Sequence, residues 1–288
     1  MPVSRPKRDI DPDSAIREQL LRDEPEKEAQ KSYHTVLEQH VEQAAEEYLR
    51  PAGGLLLSSF SAGMDIGFGP FVMAVIATLA AGELPRSVTD LLVALAYTTG
   101  FVFVVIGRSA LFTEQTTSAV LPVLSRRASV ADLLRVWGIV LAGNLAGTVI
   151  AAAFIGYVAP RHGIVQVSAL AAIASKLLAH PWWIILFSAI AAGWLMGLLA
   201  WLVVAARDTI SQIAIVVMTT FVIGIAGLHH SIAGAVEVLM AVVAHAGPTL
   251  GDFGRFLLAA VVGNAIGGTV FVALLKYGHV RARRFNAV

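Results

Sequence analysis

After Arg50 the sequence becomes a series of apolar runs separated by short polar connections. A bilayer core about 30 Å thick takes about 20 apolar residues as one helix. Six segments reach that length, near residues 53–80, 89–124, 132–159, 181–205, 210–247 and 253–277. The second and fifth are too long for one crossing, and each is interrupted. The second is cut by "GRSALFTEQTT" at 107–117, the fifth by "GLHHS" at 227–231. The pattern predicts an all-α membrane protein of six transmembrane helices, with the second and fifth broken. Ahead of the runs, residues 13–49 are rich in Glu, Lys, Gln and Arg and predict polar helix, interrupted at Pro25. From Tyr33 on, Leu37, Val41, Ala44, Ala45 and Tyr48 recur at helical spacing, giving an amphipathic stripe. Such a helix suits the cytoplasmic face of the membrane domain or a partner protein. The chain thus divides into an arm (1–50), a membrane domain (51–278) and a basic tail (279–288).

An internal repeat runs through the membrane domain. "AGNLAGTV" at 142–149 matches "VGNAIGGTV" at 262–270, and Asn144 and Asn264 stand 120 residues apart. The interruptions are separated by a similar interval, His230 following Thr113 by 117 residues. A unit of three crossings must insert its second copy upside down. Inverted repeats with paired broken helices mark a transport pathway near the bilayer midplane.

Composition agrees with a membrane solvent. The 288 residues are 57% hydrophobic and only 14% charged, with a mean hydropathy of +0.73. A soluble domain carries about 25% charged residues. The arm holds 12 of the 20 acidic and 8 of the 21 basic residues, so it is net negative while the remainder is net positive. Arg126, Arg127 and Arg207, with Lys276, Arg281, Arg283 and Arg284, place the basic connections and the tail on one side, which the positive-inside rule makes cytoplasmic. Both termini are expected there. There is no cysteine, hence no disulfide or thiolate metal site. The first residues lack an apolar core, so no cleaved signal peptide is expected. No basic-aromatic surface suggests nucleic acid.

The polar residues inside the apolar runs carry the candidate chemistry. Irregular backbone at membrane depth is tolerated only where protein or a water-filled cavity covers it. The glycines around "GLHHS" let the chain leave helical geometry, and half-helix N-termini suit anions. His229 and His230 add imidazoles able to donate a hydrogen bond or a proton near neutral pH. They either hydrogen-bond within the bundle or face a pore, and their place at a repeated break favours the pore. In the partner break Thr113 offers a hydroxyl and Glu114 a carboxylate, which is costly in hydrocarbon unless paired or wetted. Arg108 is a candidate partner for Glu114, Asp65 or Glu237, and for the last two a structural lock is the preferred reading. Asn144 and Asn264 are expected to bond the irregular backbone of the two breaks, their glycine neighbours allowing close helix contact. Lys176, in "AAIASKLLAHP", is either a solvated loop lysine or a vestibule lysine that concentrates anions.

Taken together these pieces resemble the formate/nitrite transporters, over about residues 51–278. The resemblance rests on "ALFTEQT", "WGIVLAGNLAGT", a loop lysine before the fourth run, "HHSIAG" and "VVGNAIGGTVFV". It implies an aquaporin-like fold, a homo-pentamer with one pore per protomer, and passage of small monovalent anions or their conjugate acids. By motif, His230 corresponds to the family's central pore histidine, Thr113 to the hydroxyl residue facing it, and Lys176 to the vestibule lysine. Tyr97, Phe101, Leu111, Phe112, Met196 and Ile223 fall where the family builds its two apolar constrictions. Three positions depart from the pattern: His229 replaces Glu or Asn before the central histidine, and Gly193 and Gly234 each stand where the family usually has Asn. Glu114 is found in part of the family only.

The expectation is therefore a channel or transporter for small weak-acid anions in a bacterial inner membrane, proton-coupled through His230, needing no cofactor and no metal. A neutral-solute or water channel on the same scaffold is the alternative, although NPA motifs are missing. A non-conducting structural membrane protein is the third reading. An enzyme is not expected, because His229, His230 and Glu114 lack the His-x-x-x-His or Glu-x-x-His spacing of a metal centre.

Overall fold

The computed structural model describes residues 30–285, and among these every regular element is helical. The Pro25 interruption and the first half of the expected arm helix lie outside the described residues. Helix α1 (Tyr33–Leu49) buries Leu37, Val41 and Ala44 along its apolar stripe. Its start is set by Ser32, whose hydroxyl accepts from Thr35 N at 3.0 Å.

The first apolar run is two helices, α2 (Ala52–Asp65) and α3 (Phe68–Leu79), rather than one. Between them the chain turns at Ile66 and Gly67, close against α4 (Arg86–Ile106), where the backbone at Ile66 leaves no room for a side chain on Gly100. The second run breaks after α4 and resumes as α5 (Phe112–Ser118) and α6 (Val120–Leu124). The third is α7 (Val130–Ala153), continued by a π-helical segment, Phe154–Val158. A further helix, α8 (Val167–Leu178), lies between the third and fourth runs, so Lys176 sits on a helix and not in a loop. The fourth run is α9 (Trp182–Ala205). The fifth is α10 (Thr209–Ile225) and α11 (Ser231–Val243). The last is α12 (Leu250–Gly268), a π segment Thr269–Leu274, and α13 (Leu275–Phe285).

Five helical stretches are long and apolar enough to cross a bilayer, and α8, α10 and α11 are shorter apolar helices. The chain is a multi-pass membrane protein. Large apolar side chains stay exposed on the outer faces, among them Phe187, Leu258, Leu134 and Trp182. In water such a surface would be unstable; in lipid, or against a neighbouring subunit, it is the expected exterior.

The two halves are built alike. Both α7 and α12 begin with a reciprocal capping box: Ser129 with Asp132, and Thr249 with Asp252. Helix α2 packs along α7 and helix α9 along α12. Gly63 lies against the backbone of Asn144, and Gly193 against that of Asn264, so a side chain at either glycine would strike main-chain atoms. Helix α11 is the inner post of the bundle, buried from residue 231 to 241.

Candidate transport pathway

Both interruptions are made by the same turn. Arg108 N donates to Val105 O and Ser109 N to Val104 O; 119 residues on, Gly227 N donates to Gly224 O and Leu228 N to Ile223 O. Arg108 (φ +55°) and Gly227 (φ +61°) hold the left-handed position of each turn. This is the bond pattern of a Schellman stop, which satisfies the last carbonyls of a helix. Arg108 tolerates a conformation that usually falls to glycine.

Each new helix then starts against an asparagine. Asn144 Oδ1 accepts from Phe112 N at 2.7 Å, while its Nδ2 donates to Ser59 O (2.7 Å) and Ala110 O (2.9 Å). Asn264 Oδ1 accepts from Ser231 N at 2.7 Å, and its Nδ2 donates to Ala189 O (2.8 Å) and His229 O (3.0 Å). Both side chains are fully buried. Every polar atom of each amide is used, which is the condition for keeping it inside the bundle at little cost.

The two histidines separate in space. His230 caps α11, its Nδ1 accepting from Ile232 N and Ala233 N, both at 3.2 Å. An Nδ1 that accepts carries no proton, so Nε2 carries it and donates to Thr113 Oγ1 at 2.8 Å. His230 and Thr113 are 1% and 0% exposed. The His229 ring turns the other way: its Nε2 donates to Leu177 O (2.9 Å) and its Nδ1 accepts from Ser188 Oγ (2.8 Å). His229 fastens the break to α8 and α9. Nothing in the sequence pointed to Ser188 as its partner.

Two cavities border the breaks, one lined in part by Gly227 and Leu228, the other by Arg108, Ser109 and Ala110. A wide one of about 760 Å³ is lined by Lys176, Asp90, Tyr97, Ile223 and Glu237 among others. A second, on the arm side, of about 430 Å³, is lined by Glu114, Arg108, Gln115 and Ser118 together with His40 and Glu47 of α1. Between them the rings of Tyr97 and Phe101 lie 5.0 Å apart, and Phe101 meets His230 edge-on at 4.9 Å. Leu111, Met196 and Ile223 are wholly buried. Phe112 packs on Trp137 at 6.1 Å, and Trp137 Nε1 donates to Gln115 O at 3.0 Å. Buried, largely apolar side chains, Phe101, Leu111 and Met196 among them, and the His230–Thr113 pair line neither cavity.

The expected acid–Arg108 locks are absent. Asp65 accepts from Ser61 Oγ at 3.0 Å, Glu237 lines the wide cavity, and Arg108 is exposed without an ion pair among the described residues. The sequence-based locks assumed that both acids are buried and need a cation, whereas Asp65 is only half-buried and Glu237 borders a cavity. Lys176 Nζ stands 3.7 Å from Asp90, a pairing with no signal in the sequence across 86 positions. Helix α1 borders the second cavity and is fastened beside it: His40 Nε2 bonds Ser118 Oγ at 2.8 Å, and the Tyr48 hydroxyl donates to Ala119 O. Burial holds His40 at about 4, below its ordinary 6.5.

Two of the family departures have a steric cause. Gly193 faces the Asn264 backbone, and the space that a side chain on Gly234 would fill is taken by the ring of fully buried Phe256.

Comparison with known proteins supplies the context. The sequence profile of the family described as "Formate/nitrite transporter" matches residues 34–278. Inner membrane protein YfdC of Escherichia coli (strain K12) is 33% identical over 251 residues, covering 85% of this chain and 78% of its own. A probable formate transporter of Methanothermobacter thermautotrophicus is 28% identical over 246 residues, covering 79% of this chain and 89% of its own. Among solved structures, an FNT family ion channel superposes with a TM-score of 0.75 at 22% identity, covering 85% of this chain and 98% of that one. A pentameric formate channel with formate bound gives 0.68 at 24% identity, covering 80% and 97%.

Proposed function

The chain belongs to the formate/nitrite transporter family, and from that premise we propose that it conducts small monovalent weak-acid anions, formate and nitrite among them, across a bacterial inner membrane. The observation that carries the reading is the buried His230–Thr113 pair, which joins the two breaks, with one cavity lined by Lys176 and another by Glu114. Lys176 gathers anions in the wide cavity, tempered by Asp90. Desolvating a carboxylate inside the Tyr97–Phe101 seal is costly, so the substrate crosses there as its neutral acid. Nε2 of His230 polarises Thr113, whose own hydroxyl proton is left to donate to the passing oxygen atoms.

Proton coupling then takes a particular form. A proton added at His230 Nδ1 would confront the two backbone N–H groups that it caps. The ring therefore serves as a fixed donor, and the proton travels on the substrate. His229, Asn144 and Asn264 are positioning residues that shape the breaks. The shared turns and asparagine clamps support a reading of six crossings in two inverted halves, with broken second and fifth elements. The arm and both termini lie on the cytoplasmic side, so the cavity under α1 is the inner one, with Glu114 at its wall. The resemblance implies a homo-pentamer with one pathway per protomer, and a solved channel of the same fold is titled pentameric.

Proteoliposome uptake tests this. Formate, nitrite, hydrosulfide, acetate, lactate and chloride are compared at an acid and a neutral pH. Uptake of the small weak acids that rises on acidification, with chloride excluded, is expected. Uptake of neutral solutes alone, or of nothing, refutes the reading.

A further inference from the structure

The wide cavity holds a carboxyl group that the resemblance assigns no role. Glu237 stands on α11, about two turns beyond the His230 cap, in the run "SIAGAVEVLMAVV". It is 5% exposed, yet its side chain lines the cavity instead of joining the packed interior. Among the described residues it makes no hydrogen bond or ion pair, since the cavity's amine, Lys176, stands beside Asp90. The other ionisable lining groups are Arg86, Asp90 and Tyr97, all on α4, and Lys176 on α8. Helices α3 and α10 present only apolar residues there, among them Met73, Ala77 and Ile223. A carboxylate at membrane depth with no direct ion pair is costly even with an amine in the same cavity, and such groups mark proton and ion pathways.

We propose that Glu237 is the proton donor of the wide cavity, protonating the weak-acid anion before it enters the seal at Tyr97 and Phe101. The O–H bond of the carboxyl breaks as an O–H bond forms on the anion. The carboxylate left behind regains a proton from water on that side, and the neutral acid moves on toward Thr113. The net event is entry of one anion with one proton. This inference rests on the weak-acid reading above. It accounts for an acid lying in the same chamber as an anion-attracting lysine: a permanent negative charge there would repel the substrate, whereas an exchangeable proton serves it. General acid–base groups act within hydrogen-bond reach of the atom they serve, and a shared cavity gives the substrate that access.

The test is labelled formate uptake into proteoliposomes, with an internal pH dye, for the wild type, Glu237→Gln and Glu237→Asp. Gln keeps the size and a hydrogen-bonding group but cannot give up a proton. Glu237→Gln is expected to retain most uptake near about pH 5, where solvent protons serve, and to fall about tenfold or more near about pH 8. Glu237→Asp should restore much of the loss, with dye acidification tracking formate throughout. Gln matching the wild type at every pH overturns the inference and leaves the weak-acid reading standing; so does Gln exceeding it at every pH, since Glu237 then only repels anions. A wild type that takes up no weak acid overturns both, and is told apart by its own silence. Should Glu237→Gln fail to assemble, a carbodiimide that modifies membrane-buried carboxyls replaces it on the wild type. Labelling of Glu237 must then abolish uptake near about pH 8, and labelling without effect refutes the role.

Discussion

Replacing Asn264 with Leu removes three hydrogen bonds, two at the start of α11 and one to α9, while adding no void. The partners do not suffer equally. Ala189 O lies inside α9 and keeps its own helical bond, so it loses only a second one. Ser231 N is in the first turn of α11, where a helix offers no internal acceptor, and His229 O belongs to the break. Two groups are therefore stranded in a site of 0% exposure. At about 1–3 kcal/mol for each unsatisfied buried group, the loss is about 2–6 kcal/mol. Asn264→Ala leaves space of roughly one water, which can recover part of that bonding. The desolvation argument thus requires Leu to cost more than Ala, although Leu fills the site better. Reversible unfolding in mixed detergent–SDS micelles, followed by tryptophan fluorescence, measures both. Asn144→Leu, which strands Phe112 N and Ala110 O, should cost about the same, within roughly 1 kcal/mol. A loss under about 1 kcal/mol for Asn264→Leu, or Ala costing more than Leu, would show that packing and not polar satisfaction secures the break.

Other outcomes follow from single contacts. Gly193→Asn, which installs the usual family residue, should cost at least about 1–3 kcal/mol in a detergent melt, because its Cβ meets the Asn264 backbone. Lys176→Gln should weaken uptake most at low substrate and low salt, since attraction is screened beyond about 8–10 Å at physiological ionic strength; indifference to salt would make it an ordinary surface lysine. His230→Phe should assemble but not conduct, His230→Asn should keep the cap and a weakened flux, and His229→Asn should lower stability more than flux. A conducting His230→Phe would place the pathway elsewhere. For His40 the sign runs with burial: the docked side chain titrates at about 4 and the undocked one at 6.5, so docking of α1 is strongest above about pH 6.5 and weakens as pH falls toward 4, by up to roughly 3 kcal/mol. Hydrogen-exchange protection factors over residues 33–49, which divide out the intrinsic pH dependence, should therefore fall on acidification in the wild type and change little with pH in His40→Gln.

How much of this was legible in the sequence depended on how local each cause is. The breaks could be read because glycine, charge and hydroxyl groups interrupt apolar runs, and Asn144 and Asn264 because their motifs repeat. The motif set His230 apart from His229, but the partners of the two rings could not be read. His230 has extended dihedrals (φ −97°, ψ 128°), and along an extended stretch successive side chains point to opposite sides. Neighbours in sequence thus reach different partners, Thr113 for one and Ser188 with Leu177 for the other. The Lys176–Asp90 pair and the role of Glu237 were hidden for a related reason. Both depend on which faces of α4, α8 and α11 line one cavity, and that is decided by helix packing across the bundle.

The glycine departures show the same dependence from the opposite direction. In the sequence, Gly193 is a family asparagine lost. In the fold it is the counterpart of Gly63: each lies on the outer helix of a pair and admits the backbone beside the clamping asparagine of the other helix. Helix pairs that approach this closely gain dispersion and can be held by small residues alone, which matters in lipid, where apolar burial between helices adds little. An asparagine at 193 would have to force α9 away from α12 and draw Asn264 off the α11 start. Glycine keeps the second clamp as tight as the first. The departure therefore preserves the His230 cap geometry, by fixing the carbonyl of His229 and the amide of Ser231 on either side of it.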